Sequence, residues 1–216
     1  MTAETGSNPA APLLVGVTGG LGSGKSSVCR ILSGMGCAVF EADKVARDLQ
    51  VDDSEIAEGI KRIFGDDVYS RDEKGRLQLD RQSIAQKVFS DSGALRRLNE
   101  LIHPKVFSAF RKAVAEASEA GVKILVKEAA ILLESGGDKG LDVVVVIAAD
   151  LGKRVERAMA KSMGSREEIM RRIKAQWPQK KLEEHADYVI ENNGTLEELE
   201  CGVRKLYHKL ITHSGA

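Results

Sequence analysis

The sequence predicts an α/β fold in which a five-stranded parallel sheet is flanked by helices on both faces. Five short apolar segments typical of strands are separated by helical patterns along the 216 residues. This alternation favours a parallel sheet, because each crossover between parallel strands needs a helix. A glycine-rich turn, Gly19–Ser26, joins the first apolar segment to the first helix.

The composition is that of an ordinary globular protein without an excess of either charge. Lys and Arg together number 32, as do Asp and Glu. A net charge of zero argues against a general nucleic-acid or anionic-membrane binder, and no protein partner is inferred. Three cysteines without metal-type spacing indicate reduced thiols in a cytoplasmic protein. Residues 1–12 lack the features of a signal peptide and predict a disordered leader, and no segment is long enough to span a bilayer.

The first strand, Leu13–Val17, leads into the pattern G-x-x-x-x-G-K-S. Glycines in such a loop let consecutive backbone N–H groups face phosphate oxygens, and the following helix adds its dipole. In this pattern Lys25 reaches the β- and γ-phosphates, and Ser26 ligates Mg²⁺. The residues expected to hold the nucleotide phosphates are Gly20, Leu21, Gly22, Ser23, Gly24, Lys25, Ser26 and Ser27.

The second strand, Cys37–Phe40, ends at two carboxylates, Glu41 and Asp43. Ligands of open α/β sheets bind at the carboxyl ends of strands, so Glu41 and Asp43 are well placed for chemistry. Asp43 can instead cap a helix that begins at Lys44, and the two interpretations are compatible.

A long helical insertion, about 48–120, follows the second strand. A polar loop interrupts it at Gly65–Gly75, and His103-Pro104 is expected to break it again. The insertion is longer than a crossover requires, which suggests that it houses a second substrate. Taken alone, His103 is more typical of a structural residue than of a catalytic one.

The third strand, Lys123–Val126, is followed by two carboxylates with candidate roles. Glu128 can act on the water shell of the metal, and Glu134 can address the acceptor substrate. Either can instead be a solvated carboxylate in a turn.

The fourth strand, Asp142–Ala149, precedes two short arginine-bearing helices. Asp150 is a candidate cap for the first, and Ser165 with Glu168 forms a capping box for the second. Helices of this kind suit a lid of about residues 157–178 that closes over transferring phosphates, and a solvated basic hairpin is the alternative.

The fifth strand, Tyr188–Ile190, leads through the turn Asn192–Gly194 to a final helix over Thr195–Leu210. No guanine-reading N-K-x-D tetrapeptide follows the phosphate loop, which argues against a GTPase. A helical insertion after the second strand and a lid after the fourth indicate a phosphotransferase similar to the nucleoside-monophosphate kinases, on a P-loop kinase fold.

Several motifs in one order resemble the dephospho-CoA kinase family over residues 13–210. They are T-G-G-L-G-S-G-K-S at 18–26, E-A-D-x-x-A-R at 41–47, I-H-P at 102–104, I-L-L-E-S at 131–135, S-R-E-E at 165–168 and A-D-Y-V-I-x-N-N-G at 186–194. The resemblance implies a single domain over residues 13–212 that phosphorylates the ribose 3′-hydroxyl of dephospho-CoA with ATP and Mg²⁺, to give coenzyme A.

The resemblance also implies roles for individual residues. Asp43 and Lys25 would be catalytic, with Asp43 receiving the proton of the 3′-hydroxyl. The remaining residues are implied as follows: Arg47, His103 and Glu134 at the acceptor, Arg157 and Arg166 in the lid, Asn193 near the adenine of ATP, and Ser26 and Glu128 at the metal.

The sequence departs from the family pattern in three of its segments. Glu41 and Glu128 stand where the family commonly has Asp, and each keeps a carboxylate. Lys161-Ser162 stands for Arg-Asp, which loses bidentate phosphate geometry and one negative charge. Two alternatives stay open: another small-molecule or nucleoside-monophosphate kinase on this scaffold, and a nucleotide-binding regulatory protein without phosphotransfer.

Overall fold

The computed structural model describes residues 11–213, without the side chains of Phe89, Ser90, Ser92 and His213. Residues 1–10, most of the predicted leader, lie outside this part of the chain, and Pro12 is buried just before the first strand. The chain divides into a first unit, Met1–Glu41 with Ala113–Ala216, and a second unit, Ala42–Lys112.

Strands and helices alternate along the first unit, and helices dominate the second. The strands are β1 (Leu13–Thr18), β2 (Ala38–Glu41), β3 (Tyr69–Arg71), β4 (Leu77–Leu79), β5 (Ile124–Glu128), β6 (Val143–Ala148) and β7 (Tyr188–Glu191). The helices are α1 (Lys25–Gly34), α2 (Ala42–Asp52), α3 (Ser54–Phe64), α4 (Arg81–Ser90), α5 (Ser92–Glu119), α6 (Leu151–Ala160), α7 (Arg166–Lys174), α8 (Gln179–Glu183) and α9 (Leu196–His213), with a 3₁₀ turn at Asp66–Val68.

The sheet of the first unit has five parallel strands in the order β2-β5-β1-β6-β7, which confirms the predicted fold class. The central strand β1 pairs with β5 on one side and β6 on the other. Strand order therefore reverses beside β1, and ligands of open α/β sheets bind at such a point, beyond the strand ends. The phosphate loop leaves the sheet there.

One face of the sheet packs against α1 and α9 through an apolar cluster. The strands contribute alternate residues, such as Val15, Val17 and Val145, because side chains of a strand point to opposite faces. The helices contribute residues at helical spacing, such as Leu32 of α1 and Leu206 of α9. Every residue of β6 is buried, as expected of a parallel strand covered on both faces.

The second unit has an apolar core of its own. Ile56, Ile60 and Phe64 of α3 pack with Ile102 of α5. Asp53 caps α3, because its carboxylate accepts hydrogen bonds from the amides of residues 55 and 56 at 2.9 and 3.1 Å. These amides, with the Lys105 ammonium 3.1 Å away, hold the pKa of Asp53 below its usual value.

Two expectations for the second unit are wrong. The predicted loop at Gly65–Gly75 contains strand β3, which pairs with β4 as an antiparallel hairpin. Strands of three residues are too short to show a periodic pattern in the sequence. Helix α5 runs through Pro104 without a break, although a proline removes one hydrogen bond and its ring crowds the preceding turn, because Ile102 and Val106 on either side pack into the core of the unit.

The start of α2 also differs from the sequence interpretation. The helix begins at Ala42, so Asp43 lies in its first turn and is not the cap of a helix starting at Lys44. A carboxylate in the first turn still interacts favourably with the helix dipole. Among the described residues, no helix combines the length and the apolar character that crossing a membrane requires.

The three cysteines are predicted to differ in reactivity. Cys29 and Cys37 are buried and Cys201 is exposed. Burial raises the pKa of the Cys37 thiol to about 11, and burial with the nearby Glu128 carboxylate raises that of Cys29 further. At pH 8 we expect a disulfide reagent to modify one thiol rapidly and the other two only in denaturant. Cys201→Ser should abolish the rapid phase, and rapid modification of all three thiols would contradict the burial.

Candidate active site

The loop between β1 and α1 turns through glycines with positive φ. Gly22 has a φ of 77° and Gly24 a φ of 103°, in the left-handed region that L side chains rarely adopt. A Cβ on Gly22 would overlap the backbone of Arg154, and one on Gly24 would overlap the Asn192 side chain. Both backbone angle and close packing therefore require glycine at these two positions.

Side chains hold three carbonyl groups of this loop. The bonds are from Lys25 Nζ to Gly19 at 2.8 Å, from Arg154 Nε to Leu21 at 3.0 Å, and from Asn192 Nδ2 to Ser23 at 2.7 Å. Within residues 11–213, the amides of Gly22, Gly24 and Ser26 have no protein acceptor. A loop whose carbonyls are held and whose amides are available fits an anion such as phosphate.

Ser26 and Glu128 form the best-defined polar pair beside the loop. Parallel pairing places Glu128, the last residue of β5, opposite Val17 of β1, next to the start of α1. The Ser26 hydroxyl donates to Oε1 of Glu128 at 3.1 Å. Oxygen ligands of this kind suit Mg²⁺, which is usually held by one or two protein oxygens together with phosphates and water. The described residues contain no group of three or more His, Cys, Asp or Glu side chains that could hold a metal ion.

A cavity of about 410 Å³ lies beside the phosphate loop within the first unit. Its floor is the loop and the start of α1, and its walls come from the lid segment and from the turn before α9. The lining residues outside the loop are Arg157, Lys161, Met163, Asn192, Gly194, Thr195, Leu196 and Leu199. An apolar wall with a few cations around a phosphate loop has the form of a nucleotide pocket.

The two asparagine side chains of the Asn192–Gly194 turn make different contacts. Asn192 is buried, lines the cavity and bonds to the loop, and Arg157 Nη1 donates to its carbonyl at 2.9 Å. The Asn193 amide instead pairs with Asp150, accepting from its N–H at 2.8 Å and donating to its carboxylate at 3.2 Å. The lining residue is thus Asn192, and a contact of Asn193 with the nucleotide stays a prediction.

The predicted lid, about residues 157–178, covers the end of α6 and all of α7, joined by a loop in which Ser162 has a φ of 52°. Asp150 precedes α6 but makes no side-chain cap, since its carboxylate bonds to Asn193. The capping box at α7 is present: Ser165 accepts from the Glu168 amide at 3.2 Å, and Glu168 accepts from the Ser165 amide at 2.8 Å. Arg157 lines the cavity, and Arg166 is exposed at the start of α7.

Glu134 lies in the segment after β5 and has one oxygen bound. Its Oε1 accepts from the Trp177 amide at 3.1 Å, and its Oε2 is buried without a hydrogen-bond partner in the described structure. Lys127 helps to order this segment, because its buried ammonium donates to the carbonyl of Gly137 at 2.7 Å. Burial lowers the pKa of Lys127.

The other predicted acceptor residues belong to the second unit. Asp43 and Arg47 are exposed one turn apart on α2, so they share a helix face. His103 lies on α5, where it lines a groove of about 570 Å³ with Leu95, Asn99 and Phe107. The structure thus keeps Asp43 and Arg47 together on one element and places His103 on another.

Sequence reasoning missed Arg154 and Gln176, which both contact the phosphate loop. Arg154 donates to the Leu21 carbonyl, and Gln176 Oε1 accepts from the Leu21 amide at 2.8 Å. These partners lie 133 and 155 residues away along the chain. No local spacing signals such contacts, so no pattern in the sequence could have identified them.

The chain matches a family model described as dephospho-CoA kinase over residues 13–198. A dephospho-CoA kinase of Chlorobium chlorochromatii is 58% identical over 93% of this chain and 94% of its own length. One of Chlorobaculum tepidum is 54% identical over 93% of this chain and 96% of its own length.

Solved structures share the fold. A crystal structure from Thermus thermophilus has a TM-score of 0.77 at 34% identity and covers 93% of this chain and 99% of its own. A dephospho-CoA kinase from Campylobacter jejuni has a TM-score of 0.67 at 22% identity, over 92% of this chain and 97% of its own. At that identity the second structure supports the fold alone.

Glu128→Gln is predicted to raise the Mg²⁺ concentration that nucleotide binding requires. Loss of a supporting carboxylate typically lowers metal affinity roughly 10–100-fold. We expect a similar rise in the Mg²⁺ concentration that half-saturates ATP binding, measured by calorimetry. Glu191→Gln is the matched control, because Glu191 is the exposed last residue of β7, whereas Ser26 bonds to Glu128. An equal effect of both variants would contradict the assignment.

Proposed function

The chain belongs to the dephospho-CoA kinase family, and from this premise we propose that it transfers the γ-phosphoryl group of ATP to the ribose 3′-hydroxyl of dephospho-CoA. The products would be coenzyme A and ADP. The hydrogen bond between Ser26 and Glu128 is the observation that best supports phosphoryl transfer, because it pairs two hard oxygens beside an anion-binding loop. The identity of the acceptor rests on the family.

The first unit supplies the donor side of the proposed reaction. Amides of the Gly20–Ser27 loop, including those of Gly22, Gly24 and Ser26, would cradle the phosphates of ATP, and Lys25 would move from the Gly19 carbonyl to the β- and γ-phosphates. Ser26 would ligate Mg²⁺, with Glu128 orienting the serine hydroxyl and the water shell. The ion would neutralise charge that develops on the phosphoryl oxygens.

The acceptor side needs an oriented hydroxyl and a group that takes its proton. We assign this proton to Asp43, whose carboxylate is exposed in the first turn of α2. Arg47, one turn further along the same helix, suits an anionic group of dephospho-CoA. His103 and Glu134 would contact the acceptor as well, and the buried free oxygen of Glu134 suits a hydroxyl donor.

The lid would supply cations around the transferring group. Arg157 is held by Asn192 at the edge of the nucleotide cavity, and Arg166 is exposed at the start of α7. Guanidinium groups stabilise charge on a phosphoryl group in transfer, and closure over the site excludes water. Asn193 would lie near the adenine, next to the lining residue Asn192.

We also propose that residues 13–212 act as one kinase domain, with 48–120 binding the acceptor and 157–178 forming the lid. The proposed partners are ATP and dephospho-CoA, without nucleic acid, membrane or an obligate protein partner. A balanced charge and reduced cysteines support a cytoplasmic location.

The proposal predicts the acceptor that the purified protein uses. With ATP and Mg²⁺, we expect ADP to form with dephospho-CoA and not with AMP, GMP or shikimate, as followed by a coupled assay. The position of the new phosphate is checked by mass spectrometry or phosphorus NMR of the product. ADP formation with another acceptor of the panel, and none with dephospho-CoA, would contradict the proposal.

Asp43→Asn is predicted to lower kcat by roughly 10²–10⁴, the usual cost of losing a general base, while the affinity for ATP is largely kept. Asparagine preserves the size of the side chain but cannot take a proton. Asp48→Asn, which removes another exposed carboxylate of α2, serves as the control and should leave kcat near that of the wild type. Near-normal turnover of the Asp43 variant would exclude its role as the base.

A further inference from the structure

Leu21, at the tip of the phosphate loop, has both polar groups of its backbone bound by side chains from distant parts of the chain. Its amide donates to Gln176 Oε1 at 2.8 Å, and its carbonyl accepts from Arg154 Nε at 3.0 Å. A residue held on both sides cannot rotate its flanking peptide bonds without breaking a hydrogen bond. The tip of the loop is therefore fixed by α6 and by the segment after α7.

The Leu21 side chain adds a third attachment to the same region. It packs against the apolar cluster of Val155, Ala158 and Ile169, which joins α6 to α7. The loop that holds phosphates and the helices of the lid thus meet at one residue. The conformation of the loop depends on that of the lid through these contacts.

Arg154 is an unusual residue for a purely structural role. It is only 7% exposed, burial lowers the pKa of its guanidinium, and no carboxylate within residues 11–213 forms an ion pair with it. Burying an unpaired charge costs free energy, and an apolar side chain of similar size often serves stability equally well or better. The guanidinium also lies against Gly20, where a Cβ would overlap it. Its contacts are thus concentrated on the phosphate loop.

Gln176 extends the connection to the segment that carries Glu134. Its Nε2 donates to the carbonyl of Ala130 at 3.1 Å, while its Oε1 holds Leu21. The next residue, Trp177, donates its amide to Glu134 at 3.1 Å. Two consecutive residues at the end of the lid therefore contact both the phosphate loop and the segment after β5.

We propose that Arg154 and Gln176 are positioning residues for ATP binding. By holding the carbonyl and the amide of Leu21, they keep the loop amides aligned for phosphate before the nucleotide arrives. Such preorganisation raises affinity because less ordering remains to be done on binding. The proposal rests on the proposed function for the identity of the nucleotide, and it adds two residues that do not themselves touch the phosphates.

The test compares ATP affinity with protein stability in matched variants. Gln176→Met keeps the length of the side chain and Arg154→Met keeps most of its aliphatic part, and both remove the hydrogen bonds. Each is expected to raise the Kd for Mg²⁺·ATP about five- to tenfold, the factor that corresponds to one lost hydrogen bond. Arg154→Met should keep or raise the urea midpoint of unfolding, because it removes a buried charge. A merely structural arginine would instead lower that midpoint and leave the Kd unchanged.

Two further variants separate positioning from general damage. Arg154→Lys retains a donor for the Leu21 carbonyl and should recover most of the lost affinity. Gln179→Met is the matched control for Gln176, because Gln179 also accepts from a backbone amide, that of Ala149 at 3.1 Å, without contacting the loop. The control should bind ATP within about twofold of the wild type, a range well below the effect of a lost hydrogen bond.

The double variant Arg154→Met with Gln176→Met tests whether both residues act through Leu21. Contacts to one shared residue are coupled, so the rise in Kd should be smaller than the product of the two single effects. Single variants that bind ATP as the wild type does, or a Gln179 variant that loses as much as the Gln176 variant, would overturn the inference. The test measures only ATP binding, so its outcome is independent of the acceptor. If the wild-type protein phosphorylates dephospho-CoA but the single variants keep the wild-type Kd for ATP, the positioning role is refuted and the proposed function is not.

Discussion

The phosphate loop depends on one constraint: other groups of the protein must bind its backbone carbonyls before its amides can face an anion. Each peptide unit carries a donor and an acceptor, and both need a partner or solvent. In this chain the acceptors of Gly19, Leu21 and Ser23 are taken by Lys25, Arg154 and Asn192. The glycines let the loop adopt the required angles, but these three side chains decide which way its peptides point. The donor site is thus a property of the whole first unit.

The sequence predicted those parts of the structure that follow from local rules. Five parallel strands, the glycine pattern and the capping box at Ser165 all depend on residues close together in the chain, and the structure has each of them. Parts that depend on contacts between distant residues were missed. The short hairpin β3–β4 has too few residues for a period, and α5 continues through Pro104 because tertiary packing outweighs local propensity.

The residues of the candidate site likewise fall into those that a local motif predicts and those that depend on distant contacts. Ser26 was predicted from its motif, and the pairing of β5 with β1 brings Glu128 to it. Choosing between Asn192 and Asn193 required knowledge of which amide Asp150 would occupy, and the sequence does not contain that information. Arg154 and Gln176 were missed for a similar reason, because an arginine in an amphipathic helix and a glutamine just after one resemble surface residues until their partners are known. Motifs identify the residues that contact the ligand, whereas the residues that support this first group are known only from tertiary contacts.

The bond between Asn192 and Ser23 has a consequence for how the protein is made. Its two residues are separated by 169 positions, so the loop is synthesised long before its partner. Contacts between such distant residues form late, since the intervening chain must be ordered first. A nascent chain shorter than about residue 192 carries the complete glycine motif but cannot assemble the finished loop. Nucleotide is therefore expected to stabilise the finished loop only after Asn192 has been synthesised and has folded into place.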